Sequence, residues 1–202
     1  MLQSVLTEET ANPDPHAQFR LWFDDAKAAA VPEPNAMAVA SVSATGAPSS
    51  RMVLLKGHGE DGFVFFTNYG SRKAQELEHN RRVALLFFWP TLQRQIRIEG
   101  VVGRTTREES ADYFRTRARE SQIGAWASAQ SEIITTRAGL EQRVVELERE
   151  YAGREVPVPP FWGGFRVTAD RFEFWQGREH RLHDRIVYEK DGALWKIARL
   201  SP

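Results

Sequence analysis

The sequence of 202 residues contains no cysteine. Disulfide bonds, thiolate metal sites and cysteine nucleophiles are therefore excluded, and this composition fits a reducing compartment. The sequence also lacks a net charge, because 27 Lys and Arg residues balance 27 Asp and Glu residues. Proteins dedicated to nucleic acids usually carry a basic excess that meets the phosphate backbone. We therefore expect no nucleic-acid partner, and any anion site must be local.

Long apolar runs are missing as well. No stretch approaches the ~18 consecutive apolar residues of a membrane-spanning helix, and the N-terminus lacks the basic and apolar regions of a signal peptide. Residues 1–13 are polar and include the Asn12-Pro13 break, which predicts a flexible segment. With 42% hydrophobic and 27% charged residues, residues 14–202 are expected to form one domain. We expect a cytoplasmic protein without a membrane partner.

Strand patterns outnumber helix patterns along the chain. Asp14 precedes a predicted helix whose apolar face carries Phe19, Trp22, Phe23 and Ala26. The apolar runs 62–67 and 83–88 are typical of strands buried on both faces. Further strands are predicted at 36–43, 49–56 and 94–101 and three times within 165–200, and further helices from 71, at 107–117 and at 132–151. We predict a mainly β fold with peripheral helices (α+β), arranged as a β-barrel.

One motif is rejected. Residues 57–62 satisfy the G-x-G-x-x-G pattern of dinucleotide-binding loops. Such a loop must lead into a helix whose N-terminus faces the pyrophosphate, whereas this one leads into the apolar strand 63–66. Glu60 and Asp61 would also repel phosphate. The segment is therefore predicted to be a hairpin loop.

Two segments carry cations in a pattern that fits an anion. Arg72 and Lys73 follow Ser71, a candidate cap, at a predicted helix start, where the helix dipole opposes cations and an anion would remove the conflict. The alternative is two solvated surface charges. In the strand 51–56, Arg51 and Lys56 point to opposite faces, so they could serve two anions or be ordinary charges on an edge strand.

The third segment is FEFWQGREHRLHDR (172–185), which combines aromatic residues with three arginines and two histidines. A metal site is not expected, because His180 and His183 diverge on an extended chain and no carboxylate cluster completes the site. Aromatic residues beside cations suit a flat ring with an anionic tail. Among the remaining aromatics, Trp22, Phe23, Trp126 and Trp195 are expected in the core or an interface; Trp89 and Trp162 stay open.

Taken together, these segments resemble the pyridoxine 5′-phosphate oxidase family, also called pyridoxamine-phosphate oxidase. The resemblance runs in order from about residue 14 to residue 202. It is carried by RMVLLK (51–56), FFTNYGSRKAQEL (65–77), RQIRIEG (94–100), YFRTRARESQIGAWASAQS (113–131), FWGGFR (161–166), FEFWQGREHRLHDR (172–185) and LWKIARLSP (194–202).

The resemblance implies a split β-barrel homodimer with FMN at the subunit interface. The flavin site would comprise Arg51, Met52, Val53, Leu54, Leu55, Lys56, Phe66, Thr67, Arg72, Lys73, Gln95, Gln130, Ser131, Trp175 and Arg185. Within this set, Arg51, Arg72 and Lys73 would hold the flavin phosphate. The Gln95 amide could both donate to and accept from the flavin pyrimidine edge.

The resemblance also implies the substrate and the reaction. The substrate site would comprise Lys56, Tyr113, Arg117, Ser121, Arg181, Leu182 and His183. Arg181 and His183 would be the catalytic residues, flanking the pyridine ring and the C4′ carbon, from which hydride passes to the flavin before O2 reoxidises it to give H2O2. The expected reaction is oxidation of pyridoxine or pyridoxamine 5′-phosphate to pyridoxal 5′-phosphate.

Two other functions stay open at this point. One is a related flavin oxidase of the phenazine pathway, which shares the phosphate-binding segments. The other is a non-catalytic split-barrel protein that binds flavin, haem or pyridoxal phosphate. The RLHDR segment (181–185) and the set of Tyr113, Arg117 and Ser121 favour the pyridoxal phosphate route.

Overall fold

The computed structural model describes residues 6–202. Nine strands form one antiparallel sheet, which confirms the prediction of a mainly β fold. The strands are β1 (Ala36–Val42), β2 (Pro48–Leu54), β3 (Gly57–Gly59), β4 (Gly62–Asn68), β5 (Arg82–Trp89), β6 (Arg94–Arg104), β7 (Trp162–Gln176), β8 (Asp184–Asp191) and β9 (Leu194–Arg199). The helices are α1 (Pro15–Ala28), α2 (Arg72–His79), α3 (Arg107–Thr116), α4 (Arg119–Ala127) and α5 (Arg137–Glu150).

The sheet is organised by β7, a strand of 15 residues. The main path runs β2-β1-β5-β6-β7-β4-β3, and β8 and β9 branch from β7. On one side, β7 pairs with β6 over most of its length, through a bulge at Gly100. On the other side, its first half pairs with β4 and its second half with β8. The two ends of β7 therefore lie in different parts of the molecule.

The main core lies between α1 and the sheet. Asp14 caps α1 by accepting hydrogen bonds from the backbone N–H groups of His16 and Ala17, at 3.0 and 3.1 Å, and Pro15 occupies the first turn. The predicted apolar face of α1 is buried, with Phe19 and Ala26 fully enclosed. The ring of Phe19 packs edge-on against Phe63 at 4.8 Å between centroids. Capping and aromatic packing together fix α1 on the sheet.

A second apolar cluster joins α3, α4 and α5 to the start of β7. Its buried members are Phe114, Ile123, Leu147, Val156 and Trp162. The sequence missed α4, because its residues carry a weak apolar pattern. The predicted helix 132–151 is also too long, since α5 begins only after Thr136, which caps it by accepting from the Gly139 N–H at 3.1 Å.

The prediction that 62–67 and 83–88 are both buried on two faces is half right. The strand β4 is enclosed on both faces apart from Phe66, which is half-buried. In β5, by contrast, Leu85 and Phe87 are buried while Leu86 and Phe88 are 37% and 57% exposed. The outer face of β5 therefore leaves part of its apolar surface open to solvent.

Residues 57–62 form the β3–β4 hairpin, as predicted, and not a dinucleotide loop. The flexible segment was predicted for residues 1–13, of which 1–5 lie outside the described residues. Leu6 and Ala11 are buried against the domain, and the Arg199 guanidinium donates to the Leu6 carbonyl at 3.0 Å. Flexibility of the segment stays a prediction, but residues 6–13 do contact the body of the fold.

Within residues 6–202, no helix combines the length and the apolar character needed to cross a membrane.

Candidate active site

A cavity of about 640 Å³ opens between β2, the end of β4, α3 and α4. Polar and apolar side chains share its wall. The lining residues are Met52, Val53, Leu54, Lys56, Phe66, Thr67, Asn68, Lys73, Tyr113, Arg117, Ala118, Ser121, Gly124, Ala125, Ser128, Gln130 and Trp162. The cavity thus unites sequence segments that are more than 100 positions apart.

One wall of the cavity is a stack of three aromatic rings. The Phe66, Tyr113 and Trp162 rings are nearly parallel, with centroid distances of 4.1 Å from Phe66 to Tyr113, 5.3 Å from Phe66 to Trp162 and 6.3 Å from Tyr113 to Trp162. Gly164 pairs with Phe66 across the sheet, and a Cβ there would lie 2.6 Å from Thr105 Oγ1 and 2.8 Å from the Phe66 ring. Offset stacking of this kind holds flat rings in fixed positions.

Arg117 stands over this stack without a complete set of partners. Its guanidinium carbon lies 4.9 Å from the centre of the Trp162 ring. Its Nη1 atom is buried and has no hydrogen-bond partner among the described residues. Burial lowers the pKa of Arg117. A buried cationic nitrogen without an acceptor is costly, so the arrangement calls for an anionic ligand.

Lys73 is the second buried cation of the cavity. Its Nζ donates to Thr67 Oγ1 and to Gln130 Oε1, both at 2.9 Å. Burial, together with the charge of Arg51, lowers the pKa of Lys73 to about 8. The amine is still mostly protonated at neutral pH, and all its oxygen contacts are uncharged. Lys73 therefore keeps its full charge available for an anion.

Behind Lys73 lies a charge cluster centred on Glu76. The Glu76 side chain is only 5% exposed, and it pairs with Arg51 at 3.2 Å and with Arg72 at 2.8 Å. Ser71, the predicted cap of α2, stands at the cap position but makes no capping bond with its side chain. Its hydroxyl instead accepts from Lys73 Nζ at 3.3 Å. The α2 start is thus built around these charges.

A second group of predicted site residues gathers at the far end of β7. Trp175 pairs with Gln95 of β6 and with Arg185 of β8, and its ring lies 4.7 Å from the His183 ring. The Arg185 side chain bonds the buried Glu173, with Nε to Oε1 at 2.9 Å. These side chains converge on one end of the sheet.

The loop before β8 holds His183 in a defined protonation pattern. The backbone N–H of Arg178 donates to His183 Nδ1 at 3.1 Å, so Nδ1 must carry a lone pair and the proton of the neutral ring sits on Nε2. His180 and Arg181 both have positive φ values, 54° and 62°, a conformation that costs non-glycine residues energy. Arg181 and Leu182 are exposed.

The two groups of predicted site residues lie apart within one chain. Trp162 at the start of β7 lines the cavity, and Trp175 near its end lies 13 positions further along the same strand. At ~3.3 Å per residue, the two ends are separated by up to roughly 40 Å. Neither Gln95, Trp175, Arg181, Leu182, His183 nor Arg185 lines the cavity. Each chain therefore carries two halves of the predicted site, at opposite ends of one strand.

Most of the other predicted residues do lie together in the cavity. It brings together Met52, Val53, Leu54, Lys56, Phe66, Thr67, Lys73, Tyr113, Arg117, Ser121 and Gln130. Arg51, Arg72 and Ser131 lie outside its lining. Arg51 and Lys56 face different surroundings, as the strand alternation predicts.

Leu55, a member of the predicted flavin set, does not line the cavity. Its side chain is buried in the main core, whereas Met52, Leu54 and Lys56 line the cavity. Its backbone N–H and carbonyl are bonded to Asn35, at 2.8 and 3.2 Å. Leu55 therefore supports the cavity wall from behind rather than lining it.

Several lining residues were not identified from the sequence. The sequence assigns no role to Trp162, and Gly124, Ala125 and Ser128 belong to α4 or follow it. Small residues on one side of a short helix are the signal that could have located this wall, since they allow a ligand to approach the backbone. Trp22 and Phe23 lie in the core, as expected, and so does Trp89.

The fold and sequence comparisons agree with one another. Residues 23–150 match the family described as pyridoxamine 5′-phosphate oxidase, and residues 162–202 match the pyridoxine 5′-phosphate oxidase C-terminal dimerisation region. A protein of Rubrobacter xylanophilus named pyridoxine/pyridoxamine 5′-phosphate oxidase is 58% identical over 98% of this chain and 91% of its own length. A protein of the same name from Bordetella pertussis is 55% identical over 99% of this chain and 95% of its own length.

Two solved structures share the fold. PhzG from Burkholderia lata 383, in complex with tetrahydrophenazine-1-carboxylic acid, is 30% identical, with a TM-score of 0.93 over 98% of both chains. A pyridoxamine 5′-phosphate oxidase-related, FMN-binding protein from Nostoc punctiforme is 14% identical, with a TM-score of 0.73 over 91% of this chain and 97% of its own. The predicted split-barrel fold is confirmed, and the chain belongs to the pyridoxamine 5′-phosphate oxidase family.

Proposed function

We propose that this protein is an FMN-dependent oxidase that converts pyridoxamine or pyridoxine 5′-phosphate to pyridoxal 5′-phosphate. The observation that carries the proposal is the buried, unpartnered Nη1 of Arg117 beside a stack of aromatic rings. A phosphorylated aromatic substrate would satisfy both features, because the phosphate accepts from the guanidinium and the ring fits a flat wall.

The phosphate of the substrate has a matching donor set. Lys56, Tyr113, Arg117 and Ser121 all line the same cavity, and Lys56 Nζ lies 5.9 Å from the centre of the Tyr113 ring. Two cations and two hydroxyls suit a dianion, since charge-assisted hydrogen bonds to phosphate are the strong ones.

The flavin has a donor set of its own. Lys73 is held by Thr67 and Gln130, and Arg72 keeps a 65% exposed side chain beside it. These cations fit the terminal phosphate of FMN, while the apolar Met52 and Leu54 side chains, 63% and 39% exposed, offer a surface for the flat ring system. The chemistry that FMN supplies when bound is that of a two-electron acceptor for the C4′ hydride, reoxidised by O2.

A homodimer completes the site in this proposal. The two half-sites of one chain lie at opposite ends of β7, so the half-site of Trp175 and His183 must come from a second copy. The match of residues 162–202 to a dimerisation region supports this arrangement. The exposed Leu86 and Phe88 on β5 provide apolar surface that a second copy could cover.

Arg181 and His183 act on the substrate in the proposed dimer. His183 accepts from the Arg178 N–H at Nδ1, which leaves Nε2 to donate a hydrogen bond to the substrate. The guanidinium of Arg181 supplies positive charge next to the pyridine ring. The overall reaction with the amine consumes O2 and water and yields pyridoxal phosphate, ammonia and H2O2; the alcohol needs no water and releases no ammonia.

A second candidate is a flavin oxidase that acts on a tricyclic carboxylic acid, as the likeness to PhzG indicates. The test is O2 uptake by the FMN-loaded protein with pyridoxamine 5′-phosphate as the only substrate. Uptake with matching formation of pyridoxal phosphate is expected. Uptake only with a reduced phenazine carboxylate would favour the second candidate, and bound flavin without uptake on either substrate would favour a non-catalytic binding protein.

A further inference from the structure

The two arginines predicted to hold the flavin phosphate share one buried carboxylate. Glu76 Oε1 accepts from Arg72 Nε at 2.8 Å. Glu76 Oε2 accepts from Ser41 and Ser49 hydroxyls at 2.6 and 2.5 Å and from Arg51 Nη2 at 3.2 Å. Burial alone would raise the pKa of Glu76, but hydrogen bonds from the two serines and Arg72 and the charge of Arg72 lower it to about 2. The carboxylate is ionised at all working pH values.

Arg51 is occupied by the protein itself. Its Nη1 donates to the Val39 carbonyl at 3.1 Å and to Ser41 Oγ at 2.6 Å, and its Nη2 donates to Ser49 Oγ and Glu76. Both terminal nitrogens are therefore engaged inside the cluster. The charge of Arg51 is cancelled by Glu76, and these hydrogen bonds hold its guanidinium in place.

Arg72 is held in a different way. It meets Glu76 through Nε alone, and within residues 6–202 its two terminal nitrogens make no hydrogen bond. A long exposed arginine side chain ordinarily samples many rotamers. The bond at Nε restricts that freedom while leaving the terminal nitrogens free to bind phosphate.

We propose that Glu76 is the positioning residue for the flavin phosphate: it neutralises Arg51 and orients Arg72, so that Arg72 and Lys73 together present two positive charges. A phosphate monoester carries a charge of about −1.5 to −2 at pH 7. With Glu76 ionised, the net charge of Arg51, Arg72, Lys73 and Glu76 is +2, which comes closest to cancelling the charge of the phosphate. Without Glu76, Arg72 is released and Arg51 is left uncompensated next to Lys73. The inference rests on the proposed function, since it takes FMN as the ligand.

The decisive variant is Glu76→Gln. Its amide NH2 must replace one of the two oxygens, and a donor faces each of them: Arg72 at one, and Ser41, Ser49 and Arg51 at the other. Either orientation sets donor against donor and breaks the cluster. Glu78→Gln is the matched control, because Glu78 lies on the same helix, is 43% exposed and pairs with Arg104 away from the cluster.

The measurement is the dissociation constant of flavin-stripped, full-length protein for FMN and for riboflavin, which lacks the phosphate, read by quenching of flavin fluorescence. Glu76→Gln should raise the dissociation constant for FMN at least tenfold and change that for riboflavin less than twofold, while Glu78→Gln changes neither constant. Equal weakening of both flavins would show a merely structural role and overturn the inference. Unchanged FMN binding would overturn it as well.

Two further outcomes separate the inference from the proposed function. If the parent protein binds neither flavin, the proposed function fails and the inference with it; if the parent binds FMN and Glu76→Gln matches it, only the inference fails. Should Glu76→Gln not fold, Ser49→Ala replaces it, because this hydroxyl bonds both Glu76 and Arg51. Ser49→Ala should raise the dissociation constant for FMN about threefold and leave that for riboflavin unchanged. An unchanged FMN constant, or an equal change in both constants, overturns the inference.

Discussion

Arg117→Met is the substitution that tests the substrate site most directly. Methionine keeps most of the length of arginine but removes the charge and the buried, unpartnered Nη1. Two effects of opposite sign should follow. The variant should bind the phosphorylated substrate poorly, and the substrate-free holoenzyme should be no less stable than the parent.

Both magnitudes follow from the burial of the guanidinium. Loss of a buried, charge-assisted contact to phosphate typically costs ~2–5 kcal/mol, and ~3 kcal/mol corresponds to a ~150-fold fall in kcat/KM. In the absence of substrate the unsatisfied nitrogen is itself a cost of ~1–3 kcal/mol, which methionine removes. Loss of the contact with Trp162 offsets part of this gain. We expect the free energy of unfolding to rise by up to ~1 kcal/mol.

The assay compares kcat/KM for pyridoxamine 5′-phosphate with that for pyridoxamine, together with thermal unfolding of the substrate-free holoenzyme. Only the phosphorylated substrate should show the ~150-fold fall in kcat/KM, while kcat/KM for pyridoxamine changes less than about threefold. Arg115→Met is the control, because Arg115 lies in the last turn of α3, two positions before Arg117, but is 65% exposed and pairs with Asp112. Equal losses on both substrates, or a variant destabilised by more than ~1 kcal/mol, would refute the assignment of Arg117 to the phosphate.

Replacing both Arg72 and Lys73 with Ala should weaken FMN by well over tenfold, because each truncates a charge-assisted phosphate contact; full flavin retention after dialysis would contradict this. Arg181→Ala and His183→Ala should keep FMN and lose at least ~1.4 kcal/mol of transition-state stabilisation, tenfold in kcat/KM, and parent rates in both would show that the substrate lies elsewhere. The Glu76 carboxylate, whose pKa falls from 4.5 to about 2 on folding, stabilises the fold fully above pH 4.5. This contribution of about 3 kcal/mol should disappear as pH falls towards 2. The free energy of unfolding should therefore fall less steeply with decreasing pH in Glu76→Gln than in the parent.

The strands and the main helix could be predicted from the sequence because each has a strong local signal. Asp14 before Pro15 marks the start of α1, and alternation of Ile96 and Ile98 with polar neighbours marks β6. The helix α4 has no such signal: only Ile123 is buried, and the helix depends on packing against α5. Local patterns identify elements that have a buried face, and miss elements whose burial depends on distant segments.

For the candidate site as well, the sequence predicted some features and missed others. Residue types and resemblance predicted a set of flavin- and substrate-binding residues, and about half of them line one cavity. They could not show that Leu55 turns into the core, that Arg51 is held within the protein by Ser41 and Glu76, or that one long strand separates two groups of the predicted residues. Each of these depends on the direction of a side chain in three dimensions, which sequence alternation gives only as one of two faces.

The length of β7 has a genetic consequence. In the proposed dimer, each site takes Arg117 from one chain and Arg181 from the other, so two different inactivating alleles can complement each other. A heterodimer of Arg117→Met and Arg181→Ala chains carries both lesions in one site and leaves the other site intact. Random pairing of equal amounts makes about half of the dimers mixed, which restores roughly a quarter of parent activity. A cell with two defective copies of the gene can therefore retain an enzyme that neither copy encodes alone.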